Sequence, residues 1–421
     1  MKKLNLSFSI LILIFLTISV RFIAFYFFGD TQLENEWLIL VHNLSIKGVL
    51  GINVVIDEYV AIPKLAEQEN VVLPSVFMPP LYSYYIYSIK YLFSNFTNYI
   101  NIIIFSQILF STITIYIFFK IIKMNESFNC SIIFALIFCL IPINIYSTVQ
   151  ISSISIQVFL LVYFFYILKK FSLKDESFGQ LIIFSILSAL LILLRGEFIL
   201  FYFFTLVYFF IYNSKKIKFF IISLIITSFI LSPYIIRNYK NFNNLILTKS
   251  FGYNLLKGNN PEFKVEGNPD FIEKQYNRKD LNIETNNFYE IKLDDFYKDK
   301  SIEYIKNDPL NYISNYFTKV LSFLFIDLNS SYQNYYNILH IIPKLILSFT
   351  SILGGIIVFR KKGFLQYLSI YFFSNILFFS IFFILPRYKL IILPIQIMMA
   401  TYVIAYFLKK ISTSKKNFDT N

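Results

Sequence analysis

Only two cysteines, Cys130 and Cys139, occur in 421 residues, and both fall in one apolar stretch. Such a pair excludes a disulfide framework and a cysteine-rich metal centre, and leaves both residues as small apolar fillers. Histidine is equally scarce: His42 and His340 are isolated. No Walker-type loop, GxGxxG, GxSxG or HExxH pattern appears, so nothing marks a nucleotide, a nucleophilic serine or a helical zinc pair. Charge is the third shortage. Charged residues make up 15% of the chain, well below the roughly 25% of a soluble globular domain.

What fills the sequence is apolar. Hydrophobic residues reach 57% and aromatic ones 20%, with a mean hydropathy of +0.61; this composition points to repeated membrane spans. The net charge of +13 does not indicate nucleic acid, because Lys and Arg gather in short clusters between the apolar runs, where the positive-inside rule puts them. Lys2 and Lys3 precede a run too long for a signal peptide and without a small-x-small cleavage site, which predicts an uncleaved first helix. Heavy use of Ile, Lys, Asn, Phe and Tyr points to an AT-rich, bacterial genome.

Apolar runs cover 7–28, 99–119, 131–146, 151–168, 179–194, 198–212, 218–236, 338–359, 364–385 and 388–408. The expected fold is an all-α polytopic membrane protein of about ten transmembrane helices, one domain over 1–421. Two polar excursions interrupt it, 29–98 and 237–337. Placing Lys2 and Lys3 inside puts both excursions outside, and alternation then sends the clusters at Lys120, Lys169, Lys215, Arg360 and Lys409 inside. That agreement requires the segment 79–96 to lie in the interface rather than cross. The same reasoning makes 312–328 interfacial or re-entrant.

The first excursion is acidic in a basic protein. It opens with GDTQLENEW, residues 29–37, and holds Asp30, Glu34, Glu36, Asp57, Glu58, Glu67 and Glu69. The middle of nearly every span is free of charge, which counts against proton relays and ion pathways. Arg195, Arg237 and Arg387 instead fall at span ends on the face that the acidic loop shares. Carboxylates and guanidinium groups on one surface suit a reaction in which a hydroxyl is deprotonated while a phosphate departs. The competing explanations are plain ones: arginines that snorkel to lipid head groups and carboxylates on a solvated face. With no nucleotide signature, an activated donor has to come from the membrane itself.

The order of motifs resembles the GT-C glycosyltransferases, specifically bacterial relatives of dolichyl-phosphate-mannose protein mannosyltransferases and of the aminoarabinose transferase that modifies lipid A. The resemblance rests on ENEW through Asn43-Leu44 and Lys47-Gly48, then Pro79-Pro80-Leu81-Tyr82, SPYIIRNY from Ser232, GYNLLKGNNP from Gly252 and LPRYKLIILP from Leu385. It implies an inverting transferase that takes a sugar from a polyprenyl-phosphate donor at the outer face of the bacterial inner membrane. The acceptor would be a hydroxyl or amine on a glycan, lipid or protein. By position it implies Glu34 as the base, with Asp30 and Glu36 as competitors. Arg387, Arg237, Arg195 and Lys257 would meet the donor phosphate, and Trp37, Pro80, Tyr82 and Tyr388 would line the substrate. No metal ligands are assigned, which leaves a divalent metal open. Two departures stand out: the usual acidic pair reads Leu33-Glu34-Asn35-Glu36-Trp37, and Met78 stands where relatives often carry a basic residue or His. The alternatives are a flippase or transporter of lipid-linked sugars and a polysaccharide polymerase or ligase.

Overall fold

The structure, a computed structural model, describes residues 2–54, 71–94, 98–172, 177–212, 217–276, 281, 283–327, 329–331 and 338–418. Asp57, Glu58, Glu67 and Glu69 lie outside the described residues.

The chain is an all-α polytopic membrane protein. Its helices are α1 (Lys2–Phe28), α2 (Asn35–Lys47), α3 (Pro80–Leu92), α4 (Tyr99–Lys123), α5 (Phe128–Leu140), α6 (Pro142–Val149), α7 (Ile154–Ser172), α8 (Phe178–Leu194) and α9 (Phe198–Tyr212). They continue as α10 (Ile217–Phe242), α11 (Phe251–Gly258), α12 (Pro269–Gln275), α13 (Tyr289–Asn307), α14 (Pro309–Leu324), α15 (Ile338–Phe359), α16 (Phe364–Phe379) and α17 (Lys389–Phe418). Among the described residues, β1 (Gly51–Val54) and β2 (Val71–Pro74) pair antiparallel, with Gly51 opposite Pro74.

Among the described residues, six helices are long and apolar enough to cross a membrane, α5 and α6 form an apolar pair bent by 55°, and α8, α9 and α16 are shorter apolar helices. These correspond to the ten runs expected from hydropathy, with three revisions. The run 131–146 breaks at Ile141, because Pro142 cannot donate to the preceding turn and starts α6 as its first residue. The run 218–236 continues as helix to Phe242, so Arg237 belongs to the last turns of α10. The run 364–385 stops being regular helix at Phe379. Beyond it, the carbonyls of Ile381 and Phe382 accept from Asn259 and Lys319 side chains instead of from a next turn, and Ile384 N–H donates to the Val265 carbonyl.

Outward-facing apolar stripes mark the lipid surface. On α15, Ile342, Ile346, Phe349, Leu353 and Ile356 are all exposed, at a spacing of three or four residues; such a stripe is stable only against hydrocarbon. Charge inside the spans is not wholly absent. Arg21, fully buried on α1, donates to Ser111 Oγ at 2.7 Å and lies against Cys139, so that cysteine packs against a guanidinium. Lys344 lies within α15.

Helices α3 and α14 are the segments expected at the interface. At 13 and 16 residues they measure about 20 and 24 Å, short of a hydrocarbon core of about 30 Å. α14 is amphipathic in the inverted sense. It exposes Leu310, Ile313, Phe317 and Leu321 and buries Asn315, Lys319 and Ser322, as a helix lying on a bilayer with its polar side on protein would.

The two polar excursions pack together at one end of the bundle. Leu73 of β2 joins a small core with Leu256, Phe271, Ile272, Tyr289, Leu293 and Tyr297 of the second excursion. Arg237 fastens the hairpin base, donating to the Leu50 carbonyl at 2.6 Å and the Ser75 carbonyl at 2.7 Å. From α13, Glu290 accepts from Val76 N–H at 2.8 Å, Phe77 N–H at 3.1 Å and Ser75 Oγ. The approach to Pro79-Pro80 is thus fixed by one cation and one carboxylate.

Candidate active site

Glu34 and Glu36 sit at the N-terminus of α2. Glu34 is the residue before the first turn, with extended backbone (φ −62°, ψ 150°) and a carbonyl that accepts from Leu38 N–H at 2.9 Å. Glu36 lies in the first turn, where the helix dipole favours negative charge. Both side chains are exposed, yet Glu36 is crowded by protein enough for burial to raise its pKa above the ordinary carboxylate value. The neighbouring Glu34 charge pushes the Glu36 pKa up further, while Arg387 and Lys257 pull it back.

Those two cations come from far along the chain. Arg387 projects, exposed, from a single 3-10 turn, Pro386–Tyr388, at the head of α17. Lys257 ends α11, its Nζ 4.5 Å from the centre of the Phe383 ring. Burial and the nearby Arg387 lower the Lys257 pKa, against the pull of Glu36 and Asp270. Two glycines let this corner close. A Cβ on Gly258 would lie 2.1 Å from the Phe382 carbonyl oxygen, and Gly267, at φ +81°, would bring one within 2.8 Å of Lys257 Cγ. Larger residues there would force apart the segments that bear Lys257 and Arg387.

Lys319, which sequence reasoning did not single out, holds the same corner from within. It is fully buried on α14 and donates to the Phe382 carbonyl at 2.7 Å, Asn259 Oδ1 at 2.9 Å, and the Gly258 and Ile381 carbonyls at 3.3 and 3.4 Å. Burial alone pushes its amine down to about 7. Four oxygen acceptors facing three protons favour the ammonium, and we assign that form. Its sequence signal is a lone lysine on the polar, inward face of an amphipathic helix.

The remaining expected residues are distributed around this cluster. Asp30 is half-buried and accepts from Ile151 N–H at 2.6 Å, while its own N–H donates to the Val149 carbonyl at 3.2 Å. Burial raises its pKa, and the Ile151 hydrogen bond offsets part of that. Trp37 and Tyr82 are buried edge to face, with ring centres 4.8 Å apart, and Pro80 is buried at the first turn of α3. These three form packed support behind the carboxylates. Gln107 ties this support to the Asp30 corner: it accepts from Tyr82 Oη at 3.0 Å and donates to the Thr148 and Gln150 carbonyls. Tyr388 is half-buried under the Arg195 guanidinium, 5.6 Å from its ring centre. Arg195 reaches Glu197 at 3.9 Å, and its buried Nε has no partner among the described residues. Arg237 is not drawn into the cluster, since the hairpin carbonyls engage both its terminal nitrogens.

The structure therefore brings together Glu34, Glu36, Lys257 and Arg387, with Arg195 and Tyr388 beside them. Such a site can take a proton from a bound hydroxyl and hold an anion next to it.

No family model matches the chain, and no curated protein matches it in sequence. Solved structures do match in fold. ArnT from Cupriavidus metallidurans, solved with undecaprenyl phosphate, is a GT-C lipid-linked sugar transferase; it superposes with a TM-score of 0.54 at 11% identity, over 93% of this chain and 59% of its own. The archaeal oligosaccharyltransferase AglB from Archaeoglobus fulgidus, solved with an inhibitory peptide and a dolichol-phosphate, gives 0.57 at 11% identity, over 100% and 52%. An Archaeoglobus fulgidus oligosaccharyltransferase tethered to an acceptor peptide gives 0.56 at 10% identity, over 97% and 50%. The fold is thus that of GT-C membrane glycosyltransferases, and the chain spans between half and three-fifths of the length of these neighbours.

Proposed function

We propose that the chain is an inverting glycosyltransferase that moves a sugar from a polyprenyl-phosphate donor to an acceptor hydroxyl or amine at the outer face of a bacterial inner membrane. The observation that carries this reading is the joining of Glu34 and Glu36 on α2 with Lys257 on α11 and Arg387 before α17 in one electrostatic cluster. The acceptor oxygen or nitrogen attacks the anomeric carbon and forms the new glycosidic bond. Its proton passes to a carboxylate, and the bond from C1 to the phosphate oxygen breaks with its electron pair leaving on the phosphate. Among the three carboxylates, Glu36 is the assigned base: burial raises its pKa, and Arg387 and Lys257 both act on it. Spacing favoured Glu34, which here supplies the like charge that tunes Glu36. Arg387 and Lys257 offset the charge that develops on the departing phosphate, with Arg195 beside them. The fold neighbours, solved with undecaprenyl phosphate and dolichol-phosphate, support a lipid-phosphate donor.

Purified protein supplied with a radiolabelled polyprenyl-phosphate hexose or pentose and candidate glycan, lipid or peptide acceptors tests the reading, with and without EDTA. Formation of a single-addition product that Glu36→Gln abolishes is expected. Vectorial movement of lipid-linked sugar in liposomes without bond transfer would replace the proposal with a flippase. A ladder of products would indicate a polymerase or ligase.

A further inference from the structure

The apolar belt of the molecule is not of even height. On α1 the exposed apolar residues run from Phe8 to Phe28, about 30 Å of helix, which matches a hydrocarbon core of about 30 Å. Elsewhere on the bundle α9 has only 15 residues, about 22 Å. The two are apart, since α1 packs on α4, α5 and α6 whereas α9 packs on α8, α10 and α16. α9 faces outward through Leu200, Phe203, Val207 and Ile211, a stripe spaced for contact with lipid.

The sequence closes α9 at both ends. Arg195, Gly196 and Glu197 precede it, and Asn213, Ser214, Lys215 and Lys216 follow it. Lysine stems snorkel, but Glu197 and Asn213 are too short to do so, and drawing such groups into hydrocarbon is costly. Tilting α9 would shorten its reach further. α8, which meets it at that turn, has 17 residues, about 26 Å.

A second height comes from α14. Its exposed side is split lengthwise: Leu310, Ile313, Phe317 and Leu321 form one edge, and Asn311, Ser314 and Thr318 form the next. The boundary between hydrocarbon and water therefore follows this helix. α14 is pinned to α16 by Tyr316 Oη, which donates to the Leu377 carbonyl at 3.0 Å, and by the stacked rings of Phe323 and Phe379, 6.3 Å apart. α16 starts at Phe364, just after the Arg360-Lys361-Lys362 cluster, and Leu377 stands about 20 Å along it. α9 packs on this same helix, with the Thr205 and Tyr367 hydroxyls 2.7 Å apart and Tyr208 Oη donating to the Gly363 carbonyl at 3.0 Å.

The length of α9 and the height of α14 on α16 thus agree on a hydrocarbon thickness of about 20–22 Å in one sector. We infer that the bilayer thins where α9, α16 and α14 face it, by about 8 Å against an ordinary membrane, and that this sector fits lipids of short acyl chain. The head-group layer is drawn down there to the turn between α8 and α9, where Arg195 lies 5.6 Å from the centre of the Tyr388 ring. This thinning does not depend on the chain transferring sugar.

Cryo-electron microscopy of the purified full-length chain in nanodiscs of dioleoyl phosphatidylcholine reads the head-group layers directly. They are expected to lie closer together beside α9 than beside α1 by about 5 Å or more; equal separation around the whole perimeter would overturn the inference. Thermal unfolding in phosphatidylcholine vesicles with chains of fourteen to twenty-two carbons is the second measurement. The highest Tm is expected at the short end. Asn213→Leu combined with Ser214→Leu lengthens the apolar run of α9 by about 3 Å and is expected to move that maximum to longer chains. A maximum at twenty carbons or more in the unmodified protein, or one that the double substitution leaves in place, would also overturn it. Neither readout involves sugar transfer, so either failure leaves the transferase reading intact.

Discussion

Replacing Glu36 by Gln keeps the shape of the side chain and removes its charge and its basicity. Glu36 is accessible on a helix end, so the fold should tolerate the change and the loss should fall on the chemical step. General-base assistance contributes about 10²- to 10⁴-fold, equivalent to roughly 2.7–5.4 kcal/mol of transition-state stabilisation. The pH profile adds a sharper constraint. A base works when deprotonated, so activity rises with pH through the Glu36 pKa, and burial together with the Glu34 charge places that limb above the ordinary carboxylate range. Glu34→Gln removes a like charge, which lowers the Glu36 pKa and moves the limb to lower pH. Arg387→Ala or Lys257→Met removes an attractive charge, which raises the pKa and moves the limb to higher pH. Single-turnover transfer measured from pH 4 to 9 on matched detergent preparations reads all three shifts. A Glu36→Gln enzyme within threefold of the unmodified one, or a limb that fails to move in opposite directions for the Glu34 and Arg387 variants, would refute the assignment.

Other outcomes follow from neighbouring contacts. Arg387→Lys keeps the charge but loses the bidentate fork, and should retain more transfer activity than Arg387→Ala, which should lose about 10²- to 10³-fold in kcat. Lys319→Met strands three oxygen acceptors in the protein interior, the Ile381 carbonyl keeping the Asn259 amide; a loss of about 1–3 kcal/mol for each stranded group should appear as a lowered Tm, with no gain in activity at any pH. Arg237→Ala and Glu290→Gln each free the hairpin base, costing about 1.5–3 kcal/mol. Limited proteolysis between β2 and α3 should quicken in both variants.

Hydropathy alone gave the polytopic class, and the order of short motifs gave the resemblance to the transferases whose fold the chain proves to share. Both are legible because a lipid solvent writes long apolar runs into a chain regardless of how the runs pack. The short helices α3 and α14 were legible as helices too short to cross, though nothing local to either records which of its faces packs on protein. The breaks were harder. That the chain leaves its helix near Phe379 depends on carbonyls finding Asn259 and Lys319, residues about 120 and 60 positions away, and no local pattern records such a partner.

The candidate site divides along the same line. Its ingredients, an acidic loop in a basic protein with arginines at span ends and no nucleotide signature, stand in the sequence by itself. Which carboxylate meets which cation is a matter of packing. Only the tertiary structure seats Lys257 against Phe383, turns Arg237 into a fastening for the hairpin base and sets the charges of Arg387 and Lys257 against Glu36. The physical reason is that charge type is a property of a residue, whereas the electrostatic field on it is set by groups that the fold carries in from hundreds of positions away.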